Sequence, residues 1–317
     1  MSLHRGPNAR RHHHVLGAYW PLAALALAGC LGYRTPLDGL DDGEPRRDAA
    51  ADLPARGTWA EGGRDQAIES RPLLRCAPGT PYVLVLGTDA SLYHLDTDTL
   101  TLTSLAAVSC GNDSLNSMTV SPVGPAYISS QSGQLCSVDL ASWKTTLTSF
   151  NPASIGNNSF GMALLPDASP AGQTLFIASQ DPLFTNQLSR IDLTTFRLST
   201  VGPILPTVPW AELTAGPNGE LYGFAIGPVS SQLLNIDPGT GSAIDITTVP
   251  AGYTAAAFGL GYWQDVFYLF VGPSSSSPGL GPPLNAEIYR YRKGDAQVTH
   301  IGTLPVGVIG AGVAICR

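Results

Sequence analysis

A short segment that usually ends in aspartate recurs along the chain and constrains its fold more than any other feature. The five copies alternate apolar and polar residues, and they occupy positions 92–96, 135–139, 188–192, 233–237 and 288–292. They follow one another at intervals of roughly 50 residues, a period typical of architectures that stack one supersecondary unit several times. The chain from residue 76 onward is therefore predicted to be an array of five units.

Each copy is accompanied by further strand-like segments. A short apolar segment precedes it, and a turn and a threonine-rich segment follow, both with the β-branched residues and alternation of strands. A fourth segment precedes the last four copies, whereas the first copy lacks one and segment 312–316 has no other partner. This arrangement predicts an all-β fold, a five-bladed β-propeller whose C-terminal strand completes the first blade. A β-sandwich or a solenoid of hairpins is the alternative.

The N-terminal segment has the layout of an export signal. An arginine-rich start is followed by an apolar run that ends in Leu27-Ala28-Gly29-Cys30, too short for a comfortable span of about 20 residues. The last four residues resemble the lipobox of bacterial lipoproteins. This resemblance implies cleavage before Cys30, attachment of a diacylglycerol to its thiol, and acylation of the new amino terminus by a fatty acid such as palmitate. A plain signal peptide or an uncleaved anchor is the alternative.

The residues after Cys30 predict a location and a tether. In lipoproteins of enteric-type bacteria an aspartate after the cysteine favours the inner membrane, so Leu31 implies by resemblance a lipid-anchored outer-membrane protein. Residues 30–75 are charged, rich in Pro and Gly and poor in aromatic residues, which predicts a flexible, disordered stalk. The predicted organisation is a signal peptide at 1–29, a stalk at 30–75 and a propeller domain at 76–317.

Charge and cysteine content narrow the possible partners. The net charge is -7 and only 13% of residues are charged, which argues against a nucleic-acid partner because phosphate binding needs clustered Lys and Arg. Four cysteines besides Cys30 predict two disulfides in an exported chain, with three possible connectivities. We predict Cys110 with Cys136, and Cys76 with Cys316. Because no spacing is CxxC, neither a zinc site nor a thioredoxin-like site is predicted. No cofactor is expected.

Two sets of polar residues in the repeats are predicted to be structural. The aspartates that end four of the copies stand in different blades, so they are expected to accept hydrogen bonds from turn backbone rather than to form one site. His94 and His300 have interchangeable polar counterparts in other units. Both are predicted to be surface residues of strands rather than catalytic bases.

A carboxyl near the centre of the ring is the main candidate for a site. Glu212 occupies a slot whose counterparts in the other units are small residues, namely Ser117, Gly161, Gly259 and Gly312. A buried charge is costly unless it is paired or bound to a metal. One interpretation is a polar ring of Glu212, Asn116 and Asn158 that binds a cation or a small ligand. The other is a charge hydrogen-bonded to loop backbone.

The loops that enter the inner strands combine amides with aromatic residues such as Trp210, which suits a sugar or peptide ligand. With no catalytic constellation evident, these features favour a non-enzymatic, monomeric propeller that binds an envelope or extracellular protein or glycan. One alternative is a polysaccharide-acting enzyme, a glycosidase or lyase, that uses the carboxylates of Asp113 and Glu212. Another is a structural subunit of an envelope complex.

The repeats also resemble those of a family of uncharacterised bacterial lipoproteins with a β-propeller body. Blades of that family carry a LYxIDxxTG-type segment, which the chain matches at 92–96, 188–192 and 233–241. Segments 116–118 and 211–214 are further points of resemblance, and the similarity covers residues 80–317. The resemblance implies the fold, and no activity is attached to the family.

Overall fold

The computed structural model describes residues 83–121, 124–156, 158–167, 169, 171–180, 186–208, 210–227, 231–249, 255–273 and 285–313. All of them lie within the compact unit Asp65–Arg317. Within these ranges the chain forms twenty β-strands in five four-stranded antiparallel sheets. The fold is a five-bladed β-propeller, as predicted. The predicted signal peptide, the stalk, the lipidated Cys30 and the boundary at residue 76 lie outside the described residues.

Each blade is built from strands that are consecutive in the chain, except the first. Blade 1 contains β1 (Val83–Gly87), β2 (Ser91–Asp96) and β3 (Thr101–Ala107). Blade 2 contains β4 (Leu115–Val120), β5 (Ala126–Ser130), β6 (Leu135–Val138) and β7 (Thr145–Leu147). Blade 3 contains β8 (Phe160–Pro166), β9 (Gln173–Gln180), β10 (Asn186–Ile191) and β11 (Leu198–Pro203). Blade 4 contains β12 (Ala211–Ala215), β13 (Leu221–Ala225), β14 (Ser231–Ile236) and β15 (Ala243–Val249). Blade 5 contains β16 (Ala255–Trp263), β17 (Val266–Pro273), β18 (Ala286–Arg292) and β19 (Thr299–Leu304), and β20 (Val308–Val313) ends the described chain.

The C-terminal strand completes the first blade, which confirms the predicted mode of closure. β20 pairs antiparallel with β1, with Val313 opposite Val83. It begins four residues before the predicted segment 312–316, so that boundary was wrong. Glycines are poor strand formers, but Gly310 and Gly312 are needed here because β4 lies so close. A Cβ at Gly310 would lie 2.6 Å from the backbone nitrogen of Met118.

The core consists of five hydrophobic clusters, one between each pair of neighbouring blades. Both faces of every sheet are thus covered, which explains why second strands such as β1 are apolar and buried throughout rather than alternating. The cluster between blades 5 and 1 joins Phe270 and Ile288 to Val85 and Leu95. The ring is therefore closed by packing as well as by strand pairing.

The repeated aspartates bind turn backbone, as predicted. Asp192 accepts from the backbone nitrogens of Thr194 and Thr195 at 2.9 and 2.7 Å, and the equivalent bonds form at Asp96 and Asp139. The carboxyl of Asp237 accepts from the amide of Gly239 and the hydroxyl of Thr240. The Thr195 amide, together with the Thr195 hydroxyl, lowers the pKa of Asp192. In blade 5 the role passes to Asp295, which accepts from the amide of Arg292 at 3.0 Å.

The structure confirms the predicted disulfide between Cys110 and Cys136, whose Cα atoms are 5.6 Å apart. It links the connection between β3 and β4 to strand β6, and so fastens blade 1 to blade 2. The predicted partners Cys76 and Cys316 lie outside the described residues. Across the described ranges, no helix is both long enough and apolar enough to cross a bilayer.

Candidate ligand-binding site

The strand register gives each inner strand one equivalent position near the axis of the ring. These positions hold Gly310, Ser117, Gly161, Glu212 and Gly259. The predicted counterpart Gly312 is thus replaced by Gly310, since the closing strand starts earlier in the chain than expected. Four of the five side chains are absent or small, and the fifth is a carboxyl.

Glu212 is buried and reaches across the ring. It is 3% exposed, and its Oε1 accepts a hydrogen bond from the Ser117 hydroxyl. The backbone amide of Met162 is its second donor. The carboxyl of blade 4 is therefore hydrogen-bonded to inner strands of blades 2 and 3. The second interpretation had expected hydrogen bonds to loop backbone instead.

Burial dominates the electrostatics of this carboxyl. Desolvation raises the pKa of Glu212 well above its ordinary value of 4.5, and the hydrogen bonds from Ser117 and Met162 oppose the shift. No Lys, Arg or His occurs in the sequences of the five inner strands. Glu212 is also the only Asp or Glu in them. The side chain therefore favours its neutral form more strongly than an exposed glutamate does.

A close approach of two inner strands brings this residue into place. A Cβ at Gly161 would lie 2.2 Å from the carbonyl oxygen of Ala211 and 2.7 Å from Cα of Glu212. Only glycine lets β8 and β12 come this near, because no other residue lacks the Cβ. The missing side chain also leaves room along the axis for the carboxyl to extend toward Ser117.

Next to Glu212 lies a cavity of about 340 Å³ at the end of the ring where the inner strands begin. Every inner strand contributes to it, through Asn116, Phe160, Gly161, Ala211, Glu212, Ala257, Phe258 and Ile309. Gln131, Ser159, Ala178, Asn186, Trp210 and Ile226 complete the lining. Among these described lining residues, Glu212 carries the only carboxyl.

Aromatic rings and amides form much of the wall. Trp210 is 46% exposed at the start of blade 4, and Phe258 is half-buried in blade 5. Asn116 donates from Nδ2 to the carbonyl oxygen of Phe160 at 2.9 Å and accepts from Nε2 of Gln131 at 3.3 Å. These bonds hold two polar side chains beside the rings, a combination common in sites for small organic ligands.

The structure brings three of the four predicted ligand-binding residues together. Asn116, Trp210 and Glu212 line one cavity, whereas Asn158 is exposed and is not among its lining residues. Sequence reasoning missed Gln131 and Phe258. Gln131 follows a second strand rather than preceding an inner strand, and Phe258 occurs in an apolar segment that gives no sign of a site.

Asp113, the second carboxyl of the enzyme alternative, is not one of the cavity-lining residues. Its Oδ1 accepts from the amide of Ser114 at 2.8 Å and its Oδ2 from the amide of Ser132 at 2.7 Å. Hydrogen bonds from Ser132 lower the pKa of Asp113. Asp113 therefore stabilises the loop that contains Cys110, and it does not line the cavity together with Glu212.

The two histidines of the predicted propeller domain lie elsewhere in the fold. His300, on β19, has its Nε2 2.6 Å from Oε2 of Glu287, and His94 is on β2. Neither lines the axial cavity. Within the described ranges, no three His, Cys, Asp or Glu side chains are grouped so as to hold a metal ion.

Comparisons with known proteins yield structural similarities alone. No family model matches the sequence, and no curated protein matches it. A chain in the crystal structure of a nidogen/laminin complex is 10% identical with a TM-score of 0.46, over 73% of this chain and 97% of that one. TolB from Acinetobacter baumannii is 17% identical with a TM-score of 0.43, over 71% of this chain and 52% of that one.

Hydrazine synthase from Kuenenia stuttgartiensis is 15% identical with a TM-score of 0.41, over 75% of this chain and 69% of that chain. The present chain thus spans about half the length of the TolB chain that it matches. Similarities of this strength say nothing about ligand or activity. The five-bladed assignment rests on the sheets and cores of the protein itself.

Proposed function

We propose that the protein is a membrane-anchored extracytoplasmic lipoprotein whose propeller binds an envelope or extracellular protein or glycan without chemical turnover. The observation that carries the binding role is the axial cavity, where exposed Trp210 and the amides of Asn116 and Gln131 surround one buried carboxyl. The lipobox-like segment ending in Cys30 supports the anchored, outer-membrane location. The inner strands that line the cavity belong to one closed ring of sheets, so a ligand does not have to order them on binding.

The lining of the cavity supports the non-enzymatic part of the proposal. Glycosidases of the retaining and inverting classes need two carboxyls that flank the scissile bond. The described lining offers only Glu212, and Asp113 is engaged by loop amides. Turnover of a polysaccharide by the purified full chain in a glycosidase and lyase screen would overturn this part.

The binding role is tested by capture from native membranes. The full chain, carrying an affinity tag and expressed at its endogenous level, is expected to retain a specific protein or glycan. The variant Trp210→Ala is expected to lose it. The matched control is Trp263→Ala, because Trp263 lies at the far end of inner strand β16 and does not line the cavity. Equal capture by both variants would contradict the proposed site.

Anchoring has its own test. Cells grown with labelled palmitate are expected to yield labelled wild-type protein in the outer-membrane fraction. The variant Cys30→Ser is expected to remain unlabelled and to leave that fraction. Labelling of the variant would show that the lipobox interpretation is wrong.

A further inference from the structure

The five inner strands carry one charged residue among them, and it faces a cavity. The strand sequences are VIGAGV, LNSMTV, FGMALLP, AELTA and AAAFGLGYW, in which Glu212 is the only Asp, Glu, Lys, Arg or His. A lone carboxyl at 3% exposure lacks a basic partner on these strands. A cation that enters the cavity would supply the positive charge that these strands lack.

The walls around Glu212 favour an organic cation. The half-buried Phe258 and the exposed Trp210 line the same cavity, whereas the ring of Phe160 is buried in the core between blades 2 and 3. Aromatic faces attract cations through the ring quadrupole, most strongly for tryptophan, and a carboxylate among such rings is the usual means of binding an ammonium group. Ca²⁺ instead requires six to eight oxygen ligands, and the described lining has a single carboxyl with one oxygen already bonded to Ser117.

The negative net charge of the chain also favours a cationic ligand. The chain has a net charge of -7, and clefts in an acidic protein concentrate cations near their mouths. The cavity of about 340 Å³ is at the small end of the range for organic-ligand sites. It fits a compact headgroup or one sugar ring rather than an extended chain.

We propose that the axial cavity binds an organic ammonium group, with Glu212 as its counter-ion and Trp210 and Phe258 as its aromatic walls. The inference rests on the proposed binding function and names the chemistry of the ligand. The amides of Asn116 and Gln131, which are held in place by hydrogen bonds to Phe160 and to each other, lie at the same wall.

This site couples binding to loss of a proton. Because burial raises the pKa of Glu212, the empty site holds more of the neutral acid than an exposed glutamate would, and an ammonium ligand favours the carboxylate. Affinity is thus expected to rise with pH, by up to about tenfold per unit below the pKa of Glu212 in the free protein. The other inner strands hold no Asp, Glu, Lys, Arg or His. Their one further titratable side chain, Tyr262, donates to Asp265 at 2.9 Å at the opposite end of β16.

Two pairs of probes test the charge directly. Choline is compared with 3,3-dimethylbutan-1-ol, its neutral carbon isostere, and glucosamine with N-acetylglucosamine. Calorimetric titration of the full chain in detergent, in buffers of different protonation enthalpy, measures affinity and proton release together. At least one ammonium member is expected to bind ten times more tightly than its neutral partner and to release a proton.

The variant Glu212→Gln keeps the shape of the side chain but lacks the negative charge, so it is expected to lose the preference for the ammonium member. Glu220→Gln is the matched control on the same blade, because Glu220 lies outside the cavity and bonds to Asn218. A melting curve establishes that both variants are folded.

Three outcomes would overturn the inference: equal affinity for charged and neutral members, retained preference in Glu212→Gln, or no binding of either ammonium probe at millimolar concentration. The membrane-capture experiment separates this failure from failure of the proposed function. A partner lost in Trp210→Ala but kept in Glu212→Gln would leave the binding role standing without the ammonium ligand.

Discussion

Glu212 shows how one side chain can join distant parts of a repeat protein. Its carboxyl stands on blade 4 and accepts hydrogen bonds from Ser117 of blade 2 and Met162 of blade 3. The equivalent residues in blades 1, 3 and 5 are glycines, which leaves the axis open to a single long side chain. The cost of burying this group appears as its raised pKa.

This raised pKa makes stability depend on pH. Below its ordinary value of 4.5 the carboxyl is protonated in both folded and unfolded chains, so its full contribution is present. As the pH rises toward the higher folded pKa, only the unfolded chain ionises, and the free energy of unfolding falls by up to about 1.4 kcal/mol per unit. The Glu212→Gln variant has no carboxyl at this position, so its free energy of unfolding does not fall for this reason. Urea denaturation of both proteins between about pH 4 and pH 8 is expected to show the wild type declining relative to the variant.

The difference between wild type and variant isolates Glu212 from other groups. Asp96, Asp139 and Asp192 have lowered pKa values, so they stabilise both proteins above the pKa of the unfolded chain and lose that effect as pH falls. A difference that stays constant over the whole range would contradict the assignment of a raised pKa to Glu212.

At this scale the sequence predicted the roles that follow from local chemistry. The repeated aspartates were assigned to turns because Asp commonly binds the amides two and three residues ahead. Glu212 was noticed because it interrupts a slot of small residues. Its hydrogen bonds to Ser117 and Met162 join strands that are far apart in the chain, so no local sequence pattern predicts them.

Among the elements, the inner strands depend on glycine where neighbours approach. The positions Gly161 and Gly310 face backbone atoms of the adjacent inner strand at distances that leave no room for a Cβ. These contacts set how closely the strands surround the axis. The size of the axial cavity thus follows partly from two absent side chains.

Gly161→Ala is expected to destabilise the fold by about 1 to 3 kcal/mol, since its Cβ would lie 2.2 Å from the carbonyl oxygen of Ala211. Gly261→Ala is the matched control on inner strand β16, where the nearest atoms to an added Cβ are 3.6 Å away. Thermal and chemical denaturation compare the two. Similar losses for both variants would show that close approach of backbone is not the cause.

The disulfide between Cys110 and Cys136 joins blades 1 and 2 and closes a loop with a sequence separation of 26 residues. On the chain-entropy model a loop of that length contributes about 3 to 4 kcal/mol. The variant Cys110→Ala/Cys136→Ala is expected to lose about that much, as measured by urea denaturation under non-reducing conditions. A reducing agent should lower the stability of the wild type more than that of the variant, which keeps only the predicted disulfide between Cys76 and Cys316.

The elements were predicted with uneven success. Second strands stand out because both faces are buried and their apolar residues run almost without interruption. Third strands stand out because buried and more exposed residues alternate in their outer halves and the segment recurs in every blade. The closing strand was placed too late because Gly310 and Gly312 weaken the strand pattern of VIGAGV. Their presence is explained by packing against β4, a contact between opposite ends of the domain that the local sequence does not express.

For the whole molecule, closure depends on one strand. β20 supplies the inner edge of blade 1, and its residues Val308, Ala311 and Val313 also join the core between blades 5 and 1. Without it, β1 would present an unpaired, fully apolar edge, which is a template for association with other chains. The first and last parts of the domain therefore have to meet before the ring is stable.

A truncation that ends at Leu304 removes β20 and is expected to abolish cooperative folding and to yield soluble aggregates. The reason is the loss of both the β1 pairing and the packing between blades 5 and 1. Size-exclusion chromatography and thermal melting provide the measurement.

A synthetic peptide covering 305–317, added during refolding, is expected to restore a monomeric fraction because the strand is required as a partner rather than as a covalent continuation. A peptide with Gly310→Val is the control, since its Cβ would lie 2.6 Å from the backbone of Met118 and prevent the strand from docking. Cooperative melting of the truncated chain alone would contradict this account of closure.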